Sequence, residues 1–535
     1  MLIYQIYPRS YNDSNADGIG DLKGILEKVS YIAKLGVDAV WLSPFVTSPQ
    51  KDFGYDVSNY YDVDPRFGTI GDFKKLLSEL HRHKIKLIMD QVWCHCSDQH
   101  PWFIESRNSL KGSSKNAKSD WFIWADAKPD GSPPNNWLSY FGGGAWAWDT
   151  TRQQYYFHQF LESQPTFNLR NPALRKALWS IGKYWLELGV DGFRLDAIHT
   201  GFADPLLRNN PARPKGLPVA PDVPKDIPQA RQLRQHSEGH KDTLPFLEEL
   251  RKLTNKYGAV LLGEVGGENP WQRAASYTGK KRLHMAYTFS LLKQKPDMAS
   301  FTQTVAHAEG SKKKDTQFCY ALSNHDVMRV ATRWGNTERA AHIAMLFGLS
   351  LPGAYCMYQG EELGLPEADV PFEKMVDPFG LAFYPKFKGR DGCRTPMPWN
   401  RWSANAGFSA ARNTWLPVYE PHRALAVDIQ ENNQTSMLHF TRRMIAWRKS
   451  QPALKGHGFK AFKSKADVIA FERFDKKHKL LFVFNLGADA ANYKLPPAIQ
   501  SHVEILDEAS IGVQRVKGTL ILKAMSVAVL RIKAL

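Results

Sequence analysis

The sequence predicts an α/β fold, a (β/α)8 or TIM barrel with two additions, on three observations. Eight short apolar runs recur between Ile3 and Met357, and amphipathic stretches separate them. Three of the runs close on a carboxylate-bearing fragment: Arg194-Leu195-Asp196, Gly263-Glu264-Val265 and Ser323-Asn324-His325-Asp326. Strands buried on both faces read as continuous apolar runs, and parallel barrels carry their functional side chains at the C-terminal ends of the strands. Three acids are thereby brought to one end of one sheet.

The runs, in order, are Ile3 to Tyr7, Ala39 to Leu42, Leu87 to Asp90, Gly192 to Asp196, Val260 to Glu264, Tyr287 to Phe289, Cys319 to Ser323 and Ala354 to Met357. Between them, Leu174, Ala177, Leu178, Ile181, Trp185 and Leu188 fall at helical spacing, with Asn171-Pro172 as cap and first-turn proline, so a helix is predicted over 172–188. Two connections exceed the repeat. Residues 97–165, rich in Trp, Phe, Tyr, Gly and Pro, read as a small lid domain over the barrel mouth, and residues 200–240 hold seven prolines from Pro205 to Pro228. Beyond Pro452 the pattern changes to short β-like runs at Val468 to Phe471, Leu480 to Phe484 and Val527 to Ile532. The expected organisation is barrel over 1–96, lid over 97–165, barrel again over 166–454 and a C-terminal antiparallel β-sandwich over 455–535.

With 535 residues, 43% of them hydrophobic, the chain has ample material for a large core in more than one domain. Five cysteines, Cys94, Cys96, Cys319, Cys356 and Cys393, are too sparse and odd in number for a disulfide framework and fit a reducing, cytoplasmic setting. Cys94-His95-Cys96 has no second Cys/His pair at zinc spacing. The start lacks a basic region followed by an apolar stretch, and the most apolar segment, Ile343 to Met357, is broken by Pro352. Neither a secretory signal nor a membrane span is expected. The formal charge of +17 is spread along the chain, and local runs such as Lys280-Lys281-Arg282 and Lys312-Lys313-Lys314 sit in polar connections without a recognition helix or aromatic platform. They read as solvated faces, which leaves nucleic acid out as a partner.

Cleavage of a glycosidic bond needs one ionised carboxylate and one protonated carboxyl facing it. Asp196 alternates to the same strand face as Arg194, whose guanidinium is expected to keep it ionised. Glu264 follows Val260-Leu261-Leu262, an apolar approach expected to raise its pKa. Tyr55, Phe141 and Phe160 are candidate platforms for the flat faces of sugar rings.

Gly192-Phe193-Arg194-Leu195-Asp196, Gly263-Glu264-Val265 and Asn324-His325-Asp326 resemble the motif set of the α-amylase family, glycoside hydrolase family 13, and the likeness covers essentially the whole chain. Gln5-Ile6-Tyr7-Pro8-Arg9-Ser10 and Arg394-Thr395-Pro396-Met397-Pro398-Trp399 are more similar to its α-glucosidase and oligo-1,6-glucosidase branch than to the endo-acting amylases. The resemblance implies a retaining double displacement with Asp196 as nucleophile, Glu264 as acid/base and Asp326 as stabiliser. It further implies that His95, Arg194 and His325 contact the first glucose, and that Asp52, Tyr55 and Arg390 close an exo-acting pocket around it. Valine after the nucleophile accompanies α-1,6 activity in this branch and alanine or threonine α-1,4, so Ala197 implies short α-1,4 substrates such as maltose. Transglucosylation or sugar isomerisation on the same fold is the alternative, and a non-catalytic binding homologue a third.

Two departures stand out. Asp90-Gln91-Val92-Trp93-Cys94-His95 has cysteine where the family usually has asparagine, and Gln164-Pro165-Thr166-Phe167-Asn168 lacks the usual Asp-Leu before its asparagine, which puts a calcium site between barrel and lid in question. A different hard-cation site is expected. Asp13, Asn15, Asp17 and Asp21 recur in a tight glycine-bearing turn. An EF-hand would need glutamate where Gly24 stands, and the loop instead resembles the branch's metal loop, with Asp13, Asn15, Asp17, the Ile19 carbonyl and Asp21 holding a structural Ca²⁺ or Mg²⁺. No organic cofactor is implied; the expected partner is a small oligosaccharide, and the expected state a monomer or homodimer.

Overall fold

The computed structural model describes residues 1–109, 118–293, 298–311, 316–462 and 467–533. Eight parallel strands form its barrel: β1 (Leu2–Ile6), β2 (Ala39–Leu42), β3 (Lys86–Gln91), β4 (Gly192–Leu195), β5 (Val260–Val265), β6 (Met285–Thr288), β7 (Cys319–Ala321) and β8 (Ala354–Tyr358). They lie in the order β6-β5-β4-β3-β2-β1-β8-β7, and a parallel bridge between Ala286 and Phe318 brings β6 against the chain entering β7. The expected fold class is thus the observed one. Several strands differ from the predicted runs at their ends: β4 stops at Leu195, β6 covers Met285–Thr288 and β7 stops at Ala321. The cause is local, since a 3-10 turn at Ile198–Thr200 and a helix at Phe289–Leu292 pull the chain out of the sheet directly after β4 and β6.

Alternation along the strands builds the site. Ile3, Trp41, Ile88, Val260, Leu262, Met285, Cys319 and Cys356 fill the barrel interior, while Leu2, Tyr4, Val40, Leu42, Leu87 and Leu261 face the surrounding helices. Two residues further along the interior rows the side chains turn polar: Asp90 after Ile88, Glu264 after Leu262 and Tyr287 after Met285. On β4, Gly192 occupies the interior row below Arg194, because a Cβ there would sit 2.4 Å from the Val260 carbonyl oxygen of β5. The expected helix runs over Pro172–Glu187, capped by Asn171 Oδ1 accepting from Ala173 N and Leu174 N, with Leu174, Leu178, Ile181 and Trp185 buried.

After β3, the strands Trp124–Ala125, Trp146–Asp149 and Gln154–Phe157 form a small antiparallel sheet. After β4, the proline-rich excursion is pinned by a bridge between Ala212 and Gln232 and carries a 3-10 turn at Pro228–Arg231. The C-terminal region forms an antiparallel seven-stranded sheet. Thr519–Ile532, 14 residues long, runs through it and pairs with four other strands along its length. One face, with Phe471, Phe482, Phe484 and Val529, joins the core that surrounds the barrel; the other, with Val468, Leu481, Val483 and Leu530, makes its own.

The apolar segment from Ile343 divides into the end of a helix, Glu338–Ser350, and strand β8, and among the described residues no helix is long and apolar enough to cross a membrane. All five cysteines are free and buried. Lys312-Lys313-Lys314 lies outside the described residues.

Candidate active site

A cavity opens at the C-terminal end of the barrel. Asp52, Tyr55, His95, Phe141, Phe160, Asp196, Ala197, Glu264, His325, Asp326 and Arg390 all line it. Arg194 lies behind that surface, fully buried, and organises it. Its NH1 donates to Asp90 (2.8 and 3.0 Å) and to Asp196 Oδ1 (2.8 Å), and its NH2 donates to Glu264 Oε2 and to the Tyr287 hydroxyl (2.7 Å). The Trp41 ring covers the guanidinium at 4.7 Å.

One cation therefore serves three carboxylates, where strand alternation predicted a pair with Asp196 alone. The electrostatics change accordingly. Burial pushes Asp196 up to about 7, with Asp90 and Asp326 adding to the rise, and Arg194 opposes it, so the guanidinium favours the ionised acid, as expected, but against a larger opposing effect of burial. Burial pushes Glu264 up to about 8, with Asp196 and Asp326 adding to the rise and Arg194 opposing it. Asp90 rises to about 6 for the same first reason. With a single positive charge for three acids in a dry site, one proton is retained, and Glu264 has the strongest hold on it.

Glu264 Oε2 accepts from both Arg194 and the Ala197 backbone N–H (3.0 Å), which leaves Oε1 to carry that proton. The Ala197 amide is aimed there by a left-handed backbone at φ 38° and ψ 37°. Cys94 Sγ sits 3.6 Å from the carbonyl oxygens of Asp196 and Ala197, so the cysteine that departs from the family pattern packs directly beneath this turn.

At the other end of the cavity Asp326 is the firmly ionised acid. Burial alone would raise it, yet the neighbouring His325, Arg390 and Arg394 outweigh burial and hold it well below the usual carboxylate range. The guanidiniums decide this, because His325 is itself pushed down to about 3 by burial and is neutral at pH 7. Arg390 NH1 lies 3.2 Å and Arg394 NH2 3.0 Å from Asp326 Oδ1, and Arg390 NH2 reaches Asp52 Oδ1 at 2.9 Å. His325 accepts from Gln5 Nε2 at Nδ1 (2.7 Å) and faces the Tyr55 hydroxyl at Nε2 (2.7 Å); that hydroxyl donates onward to Asp90 Oδ2 (3.1 Å). The Tyr55 and His325 rings stack 2° from parallel. His95, pushed down to about 4 by burial, donates from Nε2 to the Tyr55 carbonyl (2.9 Å) and packs against Phe160. Phe141 stacks on Phe379, with Arg390 5.0 Å from its ring centre.

Sequence reading missed the residues that hold these groups in place. Asp377 grips Arg390 through NH2 (2.7 Å) and Nε (3.1 Å), and Gln164 Nε2 donates to Asp52 Oδ2 (3.0 Å). It also missed a buried set on the cavity wall. Among the described residues, His199, Asp222 and Glu238 form the one group of three His, Cys, Asp or Glu ligand atoms within 4.8 Å of one another. The Tyr140 hydroxyl contacts all three, and Arg234 and Arg273 pair with the two carboxylates, so guanidiniums already supply the positive charge a metal would bring. The only sequence signal was the proline-rich excursion that carries Asp222 and Glu238 and that His199 shortly precedes.

In the loop after β1, the carboxylates turn onto the loop itself. Asp13 accepts from Asn15 N, Ala16 N, Gly18 N and Ser409 Oγ; Asp17 accepts from Ile19 N; Asp21 caps a helix through Gly24 N and holds Ser14. Asn15 Oδ1 accepts from Asp17 N. The donor set is oxygen-only and suits a hard cation, which would compete with these amide contacts.

The family model described as "Alpha amylase, catalytic domain" matches residues 5–457. A probable alpha-glucosidase of Rhizobium meliloti is 46% identical over 505 residues, 92% of this chain and 90% of that protein. Probable oligo-1,6-glucosidase 3 of Bacillus subtilis is 34% identical over 530 residues, 92% and 91% of the two chains. The crystal structure of the alpha-glucosyl transfer enzyme XgtA superimposes with a TM-score of 0.94 at 44% identity, covering 99% of this chain and 98% of that one.

Proposed function

Because this chain belongs to the α-amylase family and is a glycosidase, we propose that it is a retaining, exo-acting α-glucosidase that releases terminal glucose from short α-glucosides, α-1,4 linkages preferred. The observation that carries this reading is the sharing of Arg194 by Asp196 and Glu264. Two carboxylates on one guanidinium suit the roughly 5 Å separation of a retaining pair, whereas inverting pairs stand about 6.5–9.5 Å apart to admit water.

In this reading Asp196 attacks the anomeric carbon through Oδ2, the oxygen Arg194 leaves free. The carbon–oxygen bond to the aglycone breaks as Glu264 Oε1 passes its proton to the leaving oxygen. Glu264, now a carboxylate, takes a proton from water, which attacks the same carbon, breaks the ester to Asp196 and releases glucose with its configuration kept. Asp326, ionised and braced by Arg390 and Arg394, offers its outer oxygen to the ring hydroxyls of the first glucose. The Asp52–Arg390 pair closes the pocket beyond that ring and supports exo-action.

The purified protein should release 4-nitrophenol from its α-glucoside, with α-glucose the first anomer seen by NMR, and Asp196→Asn should abolish release while leaving the fold intact. A wild type inert on every small α-glucoside would refute the reading. A second reading, transfer to an acceptor hydroxyl in place of water, draws on the likeness to a glucosyl transfer enzyme; mainly new glucosides and little free glucose from concentrated maltose would favour it. A structural Ca²⁺ or Mg²⁺ at Asp13, Asn15, Asp17, Ile19 and Asp21 is part of the proposal. Elemental analysis after dialysis should find about one ion per chain, and Asp17→Ala should lose it.

A further inference from the structure

The leaving group departs where Glu264 delivers its proton, and the wall on that side is built by the next strand. Beyond β6 the chain runs through the helix Phe289–Leu292 to Lys293, and Phe289 and Lys293 line the cavity together with Tyr140, His199 and Asp222. The other charges on this side are matched. Arg234 NH2 donates to both oxygens of Asp222 (2.9 and 2.8 Å), Arg273 NH1 donates to Glu238 Oε1 (2.9 Å), and His199 is pushed down to about 4 by burial and is neutral.

Lys293 is different. One arginine and one lysine line the cavity, Arg390 and Lys293. Arg390 is tied to Asp52, Asp326 and Asp377, whereas the Lys293 ammonium has no hydrogen bond and no carboxylate within ion-pair distance among the described residues, only the Phe289 ring 5.8 Å away. Asp222 and Asp326 bear on it from farther off. Burial lowers it to about 8, which still leaves the ammonium form dominant at pH 7. Three N–H donors thus face the cavity with no protein acceptor among the described residues, so they are free to donate to the oxygens of a bound ligand. The hydroxyl and ring oxygens of a second sugar supply several, and an aryl or alkyl aglycone supplies almost none.

We propose that Lys293 is the specificity-determining residue of the aglycone site, donating to the oxygens of a hydroxyl-rich leaving group or acceptor and thereby favouring a sugar over an aromatic aglycone. The inference rests on the α-glucosidase reading above. A charge-assisted hydrogen bond lost from one substrate and not from the other changes their ratio by about 10- to 100-fold.

The experiment compares kcat/KM for maltose and for 4-nitrophenyl α-glucoside in wild type, Lys293→Met and Lys293→Arg. The ratio of maltose to aryl glucoside should fall at least about tenfold in the Met variant and return to within about threefold of wild type in the Arg variant. Lys293→Gln, which keeps one donor group, should fall between them and serves if the Met variant is poorly folded. A ratio unchanged in both uncharged variants, with 4-nitrophenol still released, overturns the role of Lys293 alone. A wild type inert on both substrates overturns the glucosidase reading and this inference with it.

Discussion

Asp377 lies outside the cavity, yet the grip on the first sugar runs through it. It is fully buried, and it accepts from Arg390 NH2 (2.7 Å), Arg390 Nε (3.1 Å) and the Arg390 backbone N–H (2.7 Å). Arg390 then carries Asp52 and Asp326 on its remaining face. In Asp377→Asn one carboxylate oxygen becomes an N–H₂ group, which cannot accept from the guanidinium and points donor at donor. The loss is one to two charge-assisted hydrogen bonds, each about 1.5–3 kcal/mol. Not all of it reaches the substrate, because Asp52 and Asp326 still hold two nitrogens of the fork. A transmitted 1.4–2.8 kcal/mol corresponds to about 10- to 100-fold in affinity. Steady-state kinetics with 4-nitrophenyl α-glucoside should show KM raised by about that factor and kcat lowered less, since Asp196, Glu264 and Arg194 are untouched. A KM within about twofold of wild type, in a variant whose thermal unfolding shows the site intact, would refute the chain of positioning from Asp377 through Arg390.

Three further outcomes follow from the same geometry. The active form needs Asp196 ionised and Glu264 protonated, so kcat/KM should rise with pH through about 7 and fall through about 8, and Glu264→Gln with an activated aryl glucoside should lose the alkaline limb. A profile flat from pH 6 to 9 would contradict the assigned pair. Ala197→Val puts a β-branched side chain at φ 38°, next to the amide that serves Glu264, so activity on maltose should fall about 10-fold or more while the maltose-to-isomaltose ratio shifts toward isomaltose, as read by glucose release. Gly192→Ala places a Cβ 2.4 Å from the Val260 carbonyl and should lower the unfolding free energy from urea titration by at least about 2 kcal/mol; an unchanged stability would mean that β4 and β5 separate freely.

Strong local patterns made much of the fold legible. The eight runs were visible because strands buried on both faces are apolar throughout, and the helix at Pro172–Glu187 because a cap, a proline and a periodic stripe coincide. The ends of β4 and β6 were not, since what stops a strand there is the turn that follows and its packing. The cavity-lining residues expected from motif likeness, from Asp52 to Arg390, do converge. Asp377 and Lys293 escaped notice, and Gln164 stood out only as a departure from the family pattern, because the place of each at the site is set by chain distant in sequence.

By itself the sequence determined the barrel, the three acids at its mouth and the strand parity that puts Arg194 and Asp196 on one face. Only the tertiary structure decided how those acids share charge. Proximity along β4 pointed to Arg194 as the private partner of Asp196, whereas the closed barrel makes it the common partner of Asp90, Asp196 and Glu264 and leaves Asp326 as the firmly ionised acid. A carboxyl's proton affinity is a sum over every charge around it and over the water it has lost, and both sums exist only once the chain has closed.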